Sequence, residues 1–590
     1  MKFSELSIHL EKLENTASRN DMILILSELF EKVPADVFDK VMYLLQGRVA
    51  PLFEPLEFGM ADKMMVRAIA QAFAVSDEKA AAEYKKVGDL GEIAQSLGGT
   101  KMGRDGTVSQ VFEVLRQVAE SGGAGSVEKK IGLMAELLQD LDPLSRRFVS
   151  RIPVAKLRLG FSDMTVLDSL SWMLGKDKKA RPEIERAYNI RPDLGIIGKT
   201  IKEDGLKGLS HIKPSVFTPI LMARAERLSS GQEIVDKIGE CAIEPKFDGF
   251  RLQAHLKREK GKGFRVKLFT RNLEEVTFMY PDVEEGLVSQ IDADEVILEG
   301  EAIAYNPETN EYLPFQLTAQ RKRKYDIEEM AKKIPLKLMV FDLLYLNGKN
   351  YIPEAYKDRR KAVSRIIKEG KTIYQAEEQV LGDAKEIENF FDDAISRGLE
   401  GILAKKLDGT YQAGARGWNW IKLKRSYQSK LEDTVDCVVM GYYSGRGKRT
   451  SFGIGAFLIG IYNEKQDKFE TIAKVGTGLT DEEWKELHRR AERIKASHKP
   501  VLFEVDKWLE PDVWVNPEIV VEIKADELTR SPVHTAGRSM KPSKSGSAFD
   551  VDVPGYALRF PRLEKFRDDK KPEDATTLQE VEEIFKAQKK

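Results

Sequence analysis

Lys246 stands in the octapeptide Glu244-Pro-Lys-Phe-Asp-Gly-Phe-Arg251, with a carboxylate two residues before it, Asp248 two residues after it, then a glycine and an arginine. A lysine amine attacks an electrophile only without its proton. Its ordinary pKa of about 10.4 keeps it charged at neutral pH, so burial or nearby cations must bring that value down. Ile243 and the alternation of Phe247, Leu252 and Ala254 with polar neighbours predict a strand, and Asp248-Gly249 a turn. Lys246 then sits where strand meets loop. Alone, this is also how a surface lysine in a charge-rich chain reads.

Further chemistry follows in order. Thr270-Arg271-Asn272 closes a strand-like run, Phe264 to Phe269. Leu298-Glu-Gly-Glu301 puts Glu299 and Glu301 two apart, on one face of a strand. Phe341-Asp342 ends an apolar run, Glu400-Gly-Ile-Leu-Ala-Lys405 brackets a short strand with charge, and Trp420-Ile-Lys422-Leu-Lys424 sets two lysines on one face, with Arg416 just upstream. Each has an ordinary reading as a solvated edge or core aromatic. Together they supply an amine, carboxylates for divalent cations, cations for phosphates and an aromatic plate for a base. That is the inventory for attack on a nucleoside triphosphate, where positioning and charge neutralisation do most of the catalysis. Lys422, Lys424 and magnesium would all help to hold Lys246 deprotonated.

Composition bounds the elements that must position these groups. A chain of 590 residues, 42% hydrophobic, divides into three or four domains. Its 94 basic and 95 acidic side chains nearly cancel, so a polyanion partner has to be met by local patches. Cys241 and Cys437 are too few for a thiolate zinc site, and the six histidines lack ligand spacing, so a metal would be held by oxygen. A reducing, intracellular setting is expected, with neither signal peptide nor membrane span.

Three textures succeed one another. Residues 1–215 read as helices, with apolar positions at Leu6, Leu10 and Leu13, Ile23 to Phe30, Val108 to Leu115 and Ile131 to Leu141, and breaks at Gly98-Gly99 and Gly122-Gly123. This is either a scaffold or a surface gripping phosphates through helix N-termini and glycine turns. Residues 216–427 mix strands and helices. Residues 428–590 alternate, with strands expected at Asp436 to Tyr443, Ala456 to Tyr462, Phe469 to Val475 and Ile519 to Ile523 and a helix from Asp481 to Ile494, a pattern suggesting a small barrel of the OB type. Leu578, Val581, Ile584 and Phe585 predict a short amphipathic tail helix.

The ordered set Lys246-Phe-Asp-Gly249, Glu299-Gly-Glu301, Phe341-Asp342, Glu400-Gly401 and Lys422-Leu-Lys424 resembles the ATP-dependent DNA ligases, within the covalent nucleotidyltransferases. The resemblance covers nearly the whole chain, and the long helical region resembles the archaeal and eukaryotic type. It implies an all-α DNA-binding domain, an α+β adenylation domain and an OB-fold β-barrel. It further implies that Lys246 takes AMP from ATP and passes it to the 5′-phosphate of a nick, that the 3′-hydroxyl then displaces AMP, and that the chain acts in replication, repair and recombination. Carried over residue by residue, Glu244, Arg251, Arg271, Glu301, Phe341, Arg416 and Lys422 would line the nucleotide pocket, with Phe341 on adenine. Glu301 and Glu400 would hold Mg2+, Asp248 would assist, and Lys424 would meet phosphate. Arg559-Phe-Pro-Arg562 with Arg567-Asp-Asp-Lys570 looks like the last motif, which orients the leaving pyrophosphate. One departure is Thr218-Pro-Ile-Leu-Met222, where Pro-Met-Leu-Ala is expected.

Other readings are weighed against this. An RNA-joining or RNA-capping enzyme shares the Lys-x-Asp-Gly core but not the long helical region. An NAD-dependent ligase would carry zinc-binding cysteines. A non-catalytic DNA-binding scaffold would have lost Lys246, Glu301 or Glu400. The expected partner is nicked duplex DNA, bound by a cytoplasmic monomer. A sliding clamp is only a family expectation, since no clear clamp-binding box is present. Arg446-Gly-Lys-Arg449, Arg321-Lys-Arg-Lys324 and Arg359-Arg-Lys361 are candidate phosphate contacts.

Overall fold

The computed structural model describes residues 1–590 except 100–102, 104–105, 158, 260, 262, 309–310, 314, 323–325, 369, 398, 425–433, 446–452, 477–478, 543–548 and 589–590. It forms two compact units, Met1–Leu423 and Lys424–Lys590.

The first unit begins with helices running from Phe3–Glu14 to Leu194–Gly208, and among the described residues no strand precedes Arg224. Helical periodicity dictates what they bury. Leu6, Leu10 and Leu13 point inward from the first helix, and Val108, Val111, Phe112 and Leu115 from Val108–Glu120, all into one core. Thr107 starts that second helix through a reciprocal cap with Gln110. Buried charge inside the bundle is matched by charge: Arg151 reaches Asp89 at 2.9 Å and Glu14 at 2.8 Å.

The mixed part of this unit contains strands β1 (Arg224–Arg227), β2 (Cys241–Lys246), β3 (Phe250–Glu259), β4 (Gly263–Thr270), β5 (Glu295–Ala304), β6 (Leu336–Leu346), β7 (Lys349–Asn350), β8 (Ile373–Gln375), β9 (Gln379–Leu381), β10 (Gly401–Lys406) and β11 (Arg416–Lys424). One sheet runs β1-β11-β10-β2-β9. The other runs β4-β3-β5-β6-β7, with β8 beside β6. Ile243, Ile402 and Ala404 of the first sheet meet Ile297, Met339 and Phe341 of the second in one core. Helices Pro281–Gln290 and Tyr356–Ile366 cover the far face of the second sheet through Val283, Leu287, Val363 and Ile366. With both faces covered, β6 is apolar on both from Leu338 to Phe341 and again at Leu343 and Leu344, interrupted by Lys337 and Asp342.

In the second unit Val435–Ser444, Ile454–Asn463 and Lys468–Val475 pair antiparallel in sequence order. Val520–Lys524 joins Val435–Ser444 on one side and Arg562–Phe566 on the other. The helix Asp481–Arg493 buries Trp484, Leu487 and Ala491. The tail helix Leu578–Ala587 buries Val581 in the unit's core, with Leu578, Ile584 and Phe585 packed against it. No helix among the described residues is long and apolar enough to cross a membrane.

Candidate active site

β2 carries Glu244 and Lys246 on one face and stops at Lys246, where the chain bends through Asp248-Gly249 into β3. Its antiparallel partner β10 puts Gly401 opposite Lys246, so Glu400 lies at the same level: its N–H donates to the Lys246 carbonyl at 3.0 Å. The side chains then meet, with Lys246 Nζ 2.5 Å from Glu400 Oε2 and both partly exposed. Gly249 is required by space. A Cβ there would stand 2.2 Å from the Ala302 carbonyl oxygen and 3.1 Å from Glu301 Cγ.

The β3–β5 register places Arg251 opposite Glu301 and Gln253 opposite Glu299. Burial pushes the Glu301 carboxyl up to about 7 against the pull of Lys246 and Arg251, and Glu400 and Asp248 add to the rise. Glu301, Glu400 and Asp248 therefore share one neighbourhood with the amine. Among the described residues no three His, Cys, Asp or Glu side chains form a ready metal cage.

Arg251 is held by a buried lattice. Its Nη2 lies 2.5 Å from Glu299 Oε2 and its Nη1 donates to the Ala223 carbonyl at 2.7 Å. Its guanidinium lies 5.2 Å from the centres of both the Phe341 and Trp420 rings. Burial works against the Arg251 charge, but Glu299 and Tyr411 more than offset this and hold its pKa above the ordinary value. Glu299, wholly buried, also accepts from the Tyr411 hydroxyl at 2.7 Å and from Gln253 Nε2 at 3.1 Å. Gln253 clasps the backbone of Ile220, accepting from its N–H at 2.7 Å and donating to its carbonyl at 3.0 Å. His255 completes the chain. Its Nδ1 accepts from the Phe217 N–H at 2.9 Å, which leaves Nε2–H to donate to Gln253 Oε1 at 3.0 Å. The connector from 217 to 223 is thus tied to the strand that bears Arg251.

Glu244 is almost fully buried. Lys405 Nζ lies 2.7 Å from its Oε2 and the Tyr356 hydroxyl donates to its Oε1 at 2.5 Å. Lys405 also donates to the Phe341 carbonyl at 2.9 Å and lies within 5 Å of the Phe341, Tyr356 and Trp420 ring centres. Burial lowers the Lys405 pKa despite Glu244 and Asp342. Lys405, Tyr356, Tyr411, Trp420 and Gln253 were absent from the sequence reading of the site. Two of them carried a signal: Lys405 closes the charge-bracketed strand that Glu400 opens, and Trp420 shares its alternation with Lys422 and Lys424.

Arg271 follows β4 in an exposed turn, Arg416 opens β11, and Lys422 lies on β11 in register with Arg227. Lys424 ends β11. In the second unit the expected phosphate ligands engage acids of their own unit: Arg559 with Glu527 at 2.7 Å, Arg562 with Asp526 at 2.5 Å, Arg567 with Asp436 and Glu522 at 3.1 Å each, and Lys570 with Asp436 at 2.6 Å.

In two of the basic runs the buried arginines are no phosphate contacts, whereas Lys322 and Lys361 are exposed and Arg323 and Lys324 lie outside the described residues. Arg359 is wholly buried in a two-pronged pair with Asp342 at 2.7 and 3.0 Å, and Arg360 is buried beside Glu244 and Glu378. Arg321 is equally buried, paired with Asp282 at 2.7 Å. These guanidiniums brace the fold and reach no outside phosphate. Arg446-Gly-Lys-Arg449 lies outside the described residues.

Three family models match the chain: "DNA ligase N terminus" over 2–171, "ATP dependent DNA ligase domain" over 222–424 and "ATP dependent DNA ligase C terminal region" over 450–570. The chain is 48% identical to a probable DNA ligase of Dictyoglomus thermophilum over 591 residues, covering 100% of this chain and 98% of that one. It is 41% identical to DNA ligase 2 of Korarchaeum cryptofilum over 597 residues, covering 100% and 98%. The solved structure Pmar-Lig_PreS3 superposes with a TM-score of 0.52 at 16% identity, covering 95% of this chain and 99% of its own, which is a likeness of fold.

Proposed function

The chain belongs to the ATP-dependent DNA ligase family, and on that premise we propose how its residues divide the work of sealing a nick in duplex DNA. Lys246 Nζ, unprotonated, attacks the α-phosphorus of ATP; an N–P bond forms, the bond to the bridging oxygen breaks and pyrophosphate leaves. The 5′-phosphate of the nick then takes AMP from Lys246, and the 3′-hydroxyl attacks that phosphate and expels AMP. The observation that carries this reading is the meeting of Lys246 Nζ with Glu400 at 2.5 Å, with Glu301 near enough for Lys246 to act on its titration.

Phe341 is assigned to the base and Glu244 to its edge. Arg251, Arg271, Arg416 and Lys422 are assigned to the phosphates, and Asp248 assists at the reacting centre. Lys424 is assigned to phosphate, and so are Arg559, Arg562, Arg567 and Lys570, which would exchange their present acidic partners once ATP or DNA is bound. The carboxyl group of Glu301, raised to about 7 beside Glu400 and Asp248, fits a divalent cation: these oxygens repel one another and suit Mg2+, which takes one or two carboxylates plus water and phosphate oxygens. Bound there by Glu301 and Glu400, Mg2+ would neutralise charge on the phosphoryl oxygens. We assign 1–215 to DNA binding, 216–427 to adenylation and 428–590 to an OB-fold domain with a helical tail, in a cytoplasmic monomer.

The test is incubation with α-labelled ATP and magnesium, no DNA, followed by denaturing electrophoresis of wild type and Lys246→Ala, with labelled GTP and NAD alongside. The expected result is an acid-labile label from ATP that the variant lacks. A wild type that takes no label from any nucleotide overturns the reading.

A further inference from the structure

Three arginines at the rim of the nucleotide pocket, Arg224, Arg271 and Arg416, form no ion pair among the described residues, although the chain has 95 acidic side chains to offer. Arg271 and Arg416 already have a place in the reaction. Arg224 does not.

Its position follows from sheet register. β1 and β11 run parallel, with Arg224 directly opposite Arg416, so both side chains leave the sheet on the same face, about 4.8 Å apart at the backbone. The register then breaks after Ala225, and β11 resumes opposite Glu226 only at Ile421. The bulge confines this paired cationic edge to the strand starts. The Arg224 backbone is firmly set: its N–H donates to the Ala415 carbonyl at 3.0 Å, and Ala223, next to it, accepts from Arg251 and donates to the Tyr411 hydroxyl at 2.9 Å. Arg271 registers the convergence, since burial and then Arg251, Arg224 and Arg416 hold its pKa below the ordinary value against the pull of Glu301. These arginines outnumber the Glu301 carboxylate that acts on Arg271, so the like charges repel one another, and a polyanion relieves that repulsion.

Building on the nucleotidyltransferase reading of this pocket, we propose that Arg224 is a phosphate-binding residue that acts with Arg271 and Arg416 on the non-bridging oxygens of a phosphate chain. The guanidinium fork suits such oxygens better than an ammonium does. Two sources share this chemistry: the β- and γ-phosphates of ATP and the backbone phosphates of DNA at the nick.

The experiment uses the full chain as wild type, Arg224→Gln, Arg224→Lys and Lys246→Ala. One arm measures self-adenylation with ATP and magnesium, no DNA, as KM and maximal rate. The other mixes pre-adenylated enzyme with nicked duplex and follows DNA-adenylate formation and DNA binding across salt. Arg224 is exposed, so folding should survive substitution, and a thermal melt checks it. Arg224→Gln should lower one arm by about 10-fold, the size of a lost charge-assisted contact, with partial recovery in Arg224→Lys. A raised KM for ATP with the second arm intact identifies the triphosphate; the reverse, with the salt slope reduced by about one, identifies DNA. If wild type is labelled, Lys246→Ala is not, and both Arg224 variants stay within about twofold in both arms, the proposal falls while the reading of the pocket stands. If wild type takes no label, the reading of the pocket itself falls.

Discussion

Lys246 Nζ and Glu400 Oε2 lie 2.5 Å apart because antiparallel pairing of β2 with β10 sets Gly401 opposite Lys246. The carboxylate proposed to hold Mg2+ thus also meets the amine directly. Glu400→Gln keeps the shape and removes the charge, so self-adenylation should slow by about 100-fold or more, the scale of general-base and electrostatic contributions. Single-turnover labelling with ATP checks this. A variant labelled at the wild-type rate would make the pairing incidental.

Gln253 is predicted to act through Arg251. Its amide serves Ile220 on one side and Glu299 on the other, and Glu299 holds the guanidinium. Gln253→Leu leaves several buried groups without partners, at about 1–3 kcal/mol each, and lets Arg251 move. We expect a raised KM for ATP in self-adenylation and a loss smaller than additive when Arg251→Lys is combined with it. Strict additivity would mean that Gln253 supports the fold without steering Arg251.

Arg359 is predicted to matter for stability and not for DNA. Arg359→Leu strands the buried Asp342 carboxylate and should destabilise the first unit by about 3–5 kcal/mol, whereas Asp342→Leu with Arg359→Met should recover most of that loss. Thermal melts read the effect. The salt dependence of nick binding should keep its slope in the folded variants, and a slope reduced by about one would restore Arg359 as a phosphate contact.

Why the sequence was clear on some of these points and silent on others is a matter of range. The helix periodicity of Leu6, Leu10 and Leu13, the apolar run of β6 and the alternation of Glu299 with Glu301 are local, and the structure has these elements. The arginine runs misled because charge is visible in a sequence and burial is not. Arg359 and Arg321 sit in charged surroundings along the chain yet are sealed against Asp342 and Asp282. Lys405, Tyr356 and Tyr411 meet Glu244 and Glu299 only through folding, as does Arg224 with Arg416, and no spacing rule spans such separations.

His255 offers a pH test of the lattice behind Arg251. Burial, with Lys267 nearby, lowers its pKa to about 3 from an ordinary value of 6.5. Between those values the unfolded chain holds a proton that the folded chain refuses. Stability from this residue is therefore complete above pH 6.5 and is lost as pH falls towards 3, by up to about 1.4 kcal/mol per pH unit. His255→Asn keeps an acceptor for the Phe217 N–H but cannot titrate. Thermal midpoints of wild type and variant, followed from pH 7.5 to 4, should converge on acidification as the wild type alone pays the proton cost. A constant gap across that window would mean that His255 takes up its proton as readily in the folded chain as in the unfolded one, and Nδ1 could then no longer accept from the Phe217 N–H at acid pH.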